Sequence, residues 1–172
     1  ATVNQSAEAA KEIKNLSRVA GVAGEDFQRL AFGADNFGIS QEKLADILKD
    51  TNDKLGDFAE TGGGAMADFF ENIGPKVGVT IESFRNLSSD QALGLYVSSL
   101  EKANVSQQEM TFYLEAIASD STALLPLLRD NGAAMERFAE EADKLGIVLS
   151  EIELTQLAEA QKGFQKTKSI MK

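Results

Sequence analysis

A recurring helix-start pattern constrains this chain more than any other feature of its sequence. In the stretch 104–118, a turn residue is followed by an apolar residue, and Ser106 then begins a run with apolar residues at helical spacing. Ser106 is a favourable N-cap, and Glu109 three residues later completes a capping box. The arrangement recurs three more times along the chain. The predicted structural helix caps are Ser40, Thr80, Ser106 and Ser150.

Helix-breaking residues separate the apolar runs that follow these caps. The Gly-Gly-Gly run at 62–64 and Asn131-Gly132 are expected to end helices, and Gly74-Pro75 to end or kink one. Strand signals are weak and lie only in connections. We therefore predict an all-α protein, an irregular bundle of about seven to nine short-to-medium helices with no sheet.

Three parts are predicted along the chain. Residues 1–37 form an N-terminal helical segment. Its apolar stripe is narrow, which is also typical of the end of a longer parental helix. Residues 38–149 form a compact helical core, and residues 150–172 a C-terminal helix. Because the chain begins Ala-Thr-Val without an initiator Met, we expect a segment of a longer polypeptide.

Composition narrows the function classes. The 172 residues carry a net charge of −10, so direct nucleic-acid binding is not expected. The absence of Cys and His removes thiolate metal sites and the commonest general base. The glycine run lacks the Lys-Ser/Thr of a phosphate loop, and no apolar run reaches the length of a membrane span. We expect no cofactor, no metal and no catalytic residue.

Two stretches are candidates for contact with a partner. The run Leu-Leu-Pro-Leu-Leu is apolar on every side, which is typical either of buried core or of a docking surface. Its leucines are Leu124, Leu125, Leu127 and Leu128. The second stretch is a late basic run, which suits either a helix C-terminus or an acidic partner or DNA. It consists of Lys162, Lys166, Lys168 and Lys172.

One pair of short motifs raises an enzymatic alternative. Glu82-Ser83, with Gly94-Leu95 downstream, is similar to the Glu-Ser and Gly-Leu elements of lytic transglycosylases. Those enzymes follow Gly-Leu with Met-Gln, whereas this chain has Tyr96-Val97. The structural interpretation is that Glu82 is a first-turn residue favoured by the helix dipole.

An ordered series of segments over about residues 38–160 resembles one region of phage and prophage tail length tape measure proteins. The segments are GISQEKLAD at 38–46, GGG at 62–64, DFFE at 68–71, PKVG at 75–78, LYV at 95–97, VSQQEMTFYLEAIA at 105–118 and LLPLL at 124–128. The series contains no catalytic motif.

The resemblance implies a structural virion protein of the phage tail, made in the bacterial host cytoplasm. Its implied roles are tail assembly, tail length determination and DNA delivery, with tail-tube subunits, tail assembly chaperones and tail-tip proteins as partners. Because caps and glycines interrupt the helices every few turns, we expect a compact module here and not a continuous ruler helix. The alternatives are a cell-wall-cleaving tail module and a generic helical protein-interaction module.

Overall fold

The chain folds as an all-α bundle in a computed structural model, which describes the backbone of residues 3–170 and the side chains of residues 7–160. No strand occurs among these residues, so the predicted fold class is confirmed. The α-helices are α1 (Val3–Ala20), α2 (Gly24–Asp35), α3 (Gln41–Thr61), α4 (Gly74–Val77), α5 (Ser89–Lys102), α6 (Gln107–Ile117), α7 (Leu125–Leu145) and α8 (Glu151–Ile170). A π-helical turn (Phe69–Ile73) and two 3-10 turns (Ile81–Phe84 and Ser121–Leu124) complete the order. No helix in the described part combines the length and the apolarity that crossing a bilayer takes.

The helix starts at Ser106 and Ser150 are reciprocal capping boxes. The Ser106 hydroxyl accepts from the Glu109 N–H at 3.1 Å, and the Glu109 carboxylate accepts from the Ser106 N–H at 3.1 Å. Ser150 and Glu153 repeat both bonds at 3.1 Å. Each box satisfies backbone N–H groups that the helix itself leaves without a partner.

Ser40 and Thr80 also begin helices, with different local chemistry. The Ser40 hydroxyl accepts from the Lys43 N–H at 3.1 Å at the start of α3. At Thr80, the Ser83 hydroxyl accepts from the Thr80 N–H at 3.1 Å, and the element that follows is a single 3-10 turn. All four predicted caps therefore lie where a helix or a helical turn begins.

Helix α7 contains the break predicted at Asn131-Gly132. Arg129 is extended (ψ 157°), and Asp130, Asn131 and Gly132 are left-handed, with φ of 56°, 58° and 74°. Left-handed backbone is unfavourable for residues with a Cβ, although Asn and Asp tolerate it better than most. The break turns α7 into a short apolar helix followed by a longer amphipathic one.

The Gly74-Pro75 pair, which was expected to end or kink a helix, lies where the π-helical turn changes to α4. The π-helical turn runs into α4, and Gly74 stays right-handed, with φ of −49°. Pro75 lies in the first turn of α4, where a missing N–H breaks no helical hydrogen bond. The chain leaves the helix at Gly78 instead, where φ is 72°.

An aromatic cluster forms the centre of the core. Phe69 and Tyr96 are fully buried, and their ring centroids lie 4.4 Å apart. The Tyr113 ring meets Phe69 edge-on at 6.3 Å. The Tyr96 hydroxyl donates to the Tyr113 carbonyl at 2.7 Å, and the Tyr113 hydroxyl donates to the Asp68 carboxylate. The π-helical turn, α5 and α6 are thus joined by both packing and hydrogen bonds.

The first and last helices pack side by side. The Gly24 N–H donates to Glu151 Oε1 at 2.6 Å, and Lys14 Nζ donates to Thr155 Oγ1 at 3.1 Å. Gly24, which follows α1, meets the first residue of α8, whereas Lys14 within α1 meets the later residue Thr155, so α8 runs antiparallel to α1. A Cβ at Gly24 would lie 2.5 Å from Glu151 Oε1, so a side chain there would displace the Glu151 carboxylate.

A side-chain amide fixes the loop before α8. Gln28 Nε2 donates to the Leu149 carbonyl at 2.8 Å, and the Leu149 N–H donates to Gln28 Oε1 at 2.9 Å. This pair imitates a backbone pairing and holds the loop against α2. The predicted divisions at 37/38 and 149/150 stay predictions, and the late lysines lie outside the residues whose side chains are described.

Candidate docking groove

The four leucines predicted as core or docking surface are all buried. Leu124 and Leu127 have 1% and 0% exposure, and Leu125 and Leu128 have 9% and 8%. They therefore present no free apolar patch to a partner. Their surroundings differ, however: Leu127 packs towards Gly33 in α2, whereas Leu124 and Leu128 lie at the bottom of a groove.

The groove lies between α2, α3, α5 and α7 and has a volume of about 310 Å³. It is partly open to solvent, and the surface that lines it is mostly apolar. Its floor is made almost entirely of leucine side chains that these helices and the 3-10 turn before α7 contribute. These are Leu30, Leu44, Leu48, Leu93, Leu124 and Leu128. Most of the floor leucines are buried, so the groove exposes little apolar area.

A glycine in the interior of α5 keeps one wall of the groove open. Gly94 lines the groove, and a Cβ built on it would meet no atom within 4 Å. Glycine inside a helix destabilises it by about 1 kcal/mol relative to alanine. The packing of the described residues therefore does not require a glycine at this position.

Charged side chains surround the apolar floor. Asp26, Asp90 and Glu136 line the groove, as does the cation Arg29. The Arg29 guanidinium is already paired, at 2.9 Å from Asp26 and 2.9 Å from Asp143. Its hydrogen bond to Asp143 raises the pKa of Arg29 above the ordinary value. The described rim therefore carries an excess of negative charge.

The left-handed break in α7 forms part of the same wall. Asn131 and Gly132 both line the groove. A residue of α5 holds the backbone of this break, because the Asp130 N–H donates to Glu101 Oε2 at 3.2 Å. Left-handed residues with a Cβ persist only where the surroundings hold them, and they often mark functional sites. Here they place Met135 and Glu136 beside the leucine floor.

A larger cavity, of about 490 Å³, lies along the seam between α1 and α8. Its polar side chains already serve the packing of the two helices. Glu151 accepts from Gly24, and Lys14, which lines the cavity, donates to Thr155. The seam thus holds the ends of the chain together, and its mixed charges select no class of ligand.

The structure places the two transglycosylase-like motifs in different cavities. Glu82 lines a cavity beside the end of α3, whereas Gly94 lines the leucine groove. The Glu82 side chain is 62% exposed and forms an ion pair with Arg85 at 2.9 Å. A carboxyl that acts as a general acid in such enzymes lies in an enclosed apolar pocket, whereas most of the Glu82 side chain is exposed to solvent. The two motifs do not form a common site.

The acidic groups of the described residues do not gather into a metal-binding set of three or more. Comparison with protein-family models, with curated proteins and with solved structures finds no match for the chain. Sequence reasoning found Leu124 and Leu128 but missed the groove, since its four walls meet only in the folded chain. The one local signal was Gly94, a glycine within a strongly helical run.

Proposed function

We propose that this chain is a folded, interaction-mediating segment of a phage or prophage tail length tape measure protein. The proposal includes the virion tail as its location and tail-tube subunits, tail assembly chaperones and tail-tip proteins as its partners. It also includes a non-enzymatic role. Its first support is the ordered series of sequence segments that resembles that family.

One structural observation carries the proposal further: segments of the resembling series pack on one another. Phe69 belongs to one segment, Tyr96 to a second and Tyr113 to a third, and they form the aromatic centre. The Tyr96 hydroxyl bond to the Tyr113 carbonyl joins two of them directly. The packing of these segments on one another is what a shared fold would require, and it supports the proposal, whose functional content rests on the resemblance.

The dimensions support a compact module within such a protein. Helix α3 has 21 residues, which corresponds to about 32 Å at about 1.5 Å per residue. The chain then turns back, and α8 returns along α1. A continuous helix of the whole chain would be about 260 Å long. We therefore assign the segment to a globular part of the tape measure protein and not to its extended ruler.

Small-angle X-ray scattering tests the shape. A compact domain of this length has a radius of gyration of about 16 Å. We expect a value near this, slightly raised by the α1/α8 pair. A profile typical of a rod would contradict the compact module.

Purified tails test the location and the structural role. Particles are produced from an induced host that carries the gene, and antibodies against this chain are applied to isolated tails. We expect labelling of tails and mass-spectrometric recovery of peptides from residues 38–160. An in-frame deletion of the segment is expected to reduce the yield of assembled tails. Detection only in the host fraction, with tails unchanged by the deletion, would contradict the proposal.

A peptidoglycan-release assay separates the structural role from the cell-wall-cleaving alternative. The chain and the variant Glu82→Gln are incubated with purified cell walls, and soluble fragments are measured. We expect no release above buffer for either protein, because Glu82 is an exposed, ion-paired residue. Release that is lost on Glu82→Gln would instead favour the enzyme.

A further inference from the structure

We propose that the leucine groove docks the apolar face of a basic amphipathic helix from a partner protein. The partner's aliphatic or aromatic side chains enter the groove, and its Lys or Arg side chains lie against the acidic rim. This inference rests on the proposed interaction role and adds the chemistry of the partner. It holds for whichever tail component supplies that helix.

The size of the groove sets how much of the partner enters. An apolar cavity of about 150 Å³ admits a benzene molecule. The groove, at about 310 Å³, has room for roughly two such groups. Two apolar side chains one helical turn apart lie on the same face of a helix and reach one groove together. The space therefore matches two consecutive anchors of an amphipathic helix.

Gly94 indicates that the space is kept open. A side chain at this position would stabilise α5, and its Cβ would meet no atom within 4 Å. The bundle gains no packing from this glycine, and the space beside it in the groove stays available to a partner side chain. A glycine in a helix lets a neighbouring helix approach closely, which is what a docked partner helix requires.

The rim selects the charge of the partner. Arg29 at the opening is already paired with Asp26 and Asp143. Asp90 and Glu136 therefore leave the rim with an excess of negative charge. An acidic helix would place its carboxylates against this rim, with repulsion added to the loss of hydration. A basic helix gains attraction during approach and at the rim, most strongly at low salt.

The walls select a helix over an extended strand. A strand docks by pairing its backbone with a free sheet edge, and the described part of the chain contains no sheet. The groove instead presents leucines between packed helices, which is the surface that a helical partner meets in helix-in-groove binding.

A binding titration with synthetic peptides tests the proposal. The probe is a fluorescent helical peptide of about four turns, with two leucines one turn apart on an otherwise lysine-rich surface. A second peptide has the same leucines, with glutamate in place of lysine. We expect saturable binding of the basic peptide, weakened about tenfold or more between low and physiological salt, and at least tenfold weaker binding of the acidic one.

Matched variants locate the binding site. Gly94→Leu fills the groove and is expected to weaken the basic peptide about tenfold or more. Gly56→Leu is its control, because Gly56 also lies inside a helix with open space where a Cβ would stand, but away from the groove. Glu136→Gln is expected to weaken binding about twofold to threefold and to reduce the salt dependence. Glu140→Gln removes the same charge from α7 outside the groove and is expected to change neither.

Circular dichroism melts of every variant, with Gly94→Ala as a milder filling variant, show that lost binding is not lost folding. The inference is overturned if the basic peptide does not bind, if it binds Gly94→Leu as well as the parent, or if the acidic peptide binds equally. It is also overturned if sedimentation shows a dimer that Gly94→Leu dissociates, since a second copy then occupies the groove. Tail labelling is independent of these results, so either proposal can fail alone.

Discussion

The aromatic centre and the leucine groove share helix α5, yet only one of them is filled. In the centre, Phe69 and Tyr96 are fully buried at 4.4 Å between their rings, and the tyrosine hydroxyls have partners. In the groove, leucines of α3 and α5 border about 310 Å³ of space and a glycine with open space beside it. The difference separates a region where the chain completes its own packing from a region where space remains between its helices.

The largest expected effect belongs to the centre. Phe69→Ala removes the ring that meets both Tyr96 and Tyr113, in a place where the surroundings cannot collapse without breaking hydrogen bonds. We expect a loss of about 3–5 kcal/mol in the free energy of unfolding, measured by urea denaturation. A loss below about 1 kcal/mol would show that the centre is no better packed than the groove.

Two adjacent leucines of α7 allow the enclosed core and the leucine groove to be compared within one helix. Leu127 is fully enclosed near Gly33, whereas Leu128 borders the groove. Leu127→Ala is expected to lower the free energy of unfolding by about 3–4 kcal/mol and Leu128→Ala by about 2 kcal/mol, because truncation beside existing space removes fewer contacts. Equal losses in chemical denaturation would mean that the groove is closed in solution.

Glycine replacement is expected to act in the opposite direction. Gly94→Ala should raise the free energy of unfolding by up to about 1 kcal/mol, since α5 gains helix propensity and the methyl group meets no atom. Gly56→Ala in α3 is the matched change outside the groove and should give a similar gain. A destabilised Gly94→Ala in thermal melts would show that the wall of the groove has no room for a methyl group.

The smallest expected effect is a pH dependence at the edge of the centre. The hydrogen bond from the Tyr113 hydroxyl, followed by one from Asn72, lowers the pKa of Asp68 below its ordinary value of 3.8. A carboxyl with a lowered pKa in the folded state stabilises the fold above its unfolded pKa, and this contribution is lost as the pH falls through the folded pKa.

Asp68→Asn should therefore reduce the melting temperature slightly at neutral pH and less below pH 3.8. Melts of both proteins across this range measure the effect. Asp57→Asn is a control, because Asp57 lies outside this hydrogen-bond pair. If the difference in melting temperature between the parent and Asp68→Asn does not shrink at low pH, the charge of Asp68 is not its cause.

The fold was largely predictable because its decisive signals are local. Each cap lies within three residues of its partner, as Ser106 and Glu109 show, and the α7 break follows from Asn131-Gly132. The pair Gln28 and Leu149 was not predictable, since 121 residues separate its members. The position of Phe37 was not predictable either: it is 42% exposed, with an edge-on contact to Phe138 at 6.2 Å.

The candidate site was predictable only in part. The apolar run at 124–128 drew attention to a segment that lines the groove but not to the groove itself, because the burial of each leucine depends on helices far away in sequence. In the sequence, Gly94 belongs to a Gly-Leu pair that is similar to one element of lytic transglycosylases. In the folded chain, Gly94 lines the groove together with residues of α2 and α7. Local patterns thus identify elements, whereas a groove between four helices requires their arrangement.

The antiparallel pairing of α1 and α8 has a mechanical consequence. The start of α1 and the end of α8 lie at the same end of the pair, while Gly24 and Glu151 close the other end. Tension applied across those neighbouring ends would load the contacts between α1 and α8 one after another. The two helices would therefore separate at low force. The aromatic centre would resist until this opening is complete, and extension would therefore occur in two separate stages.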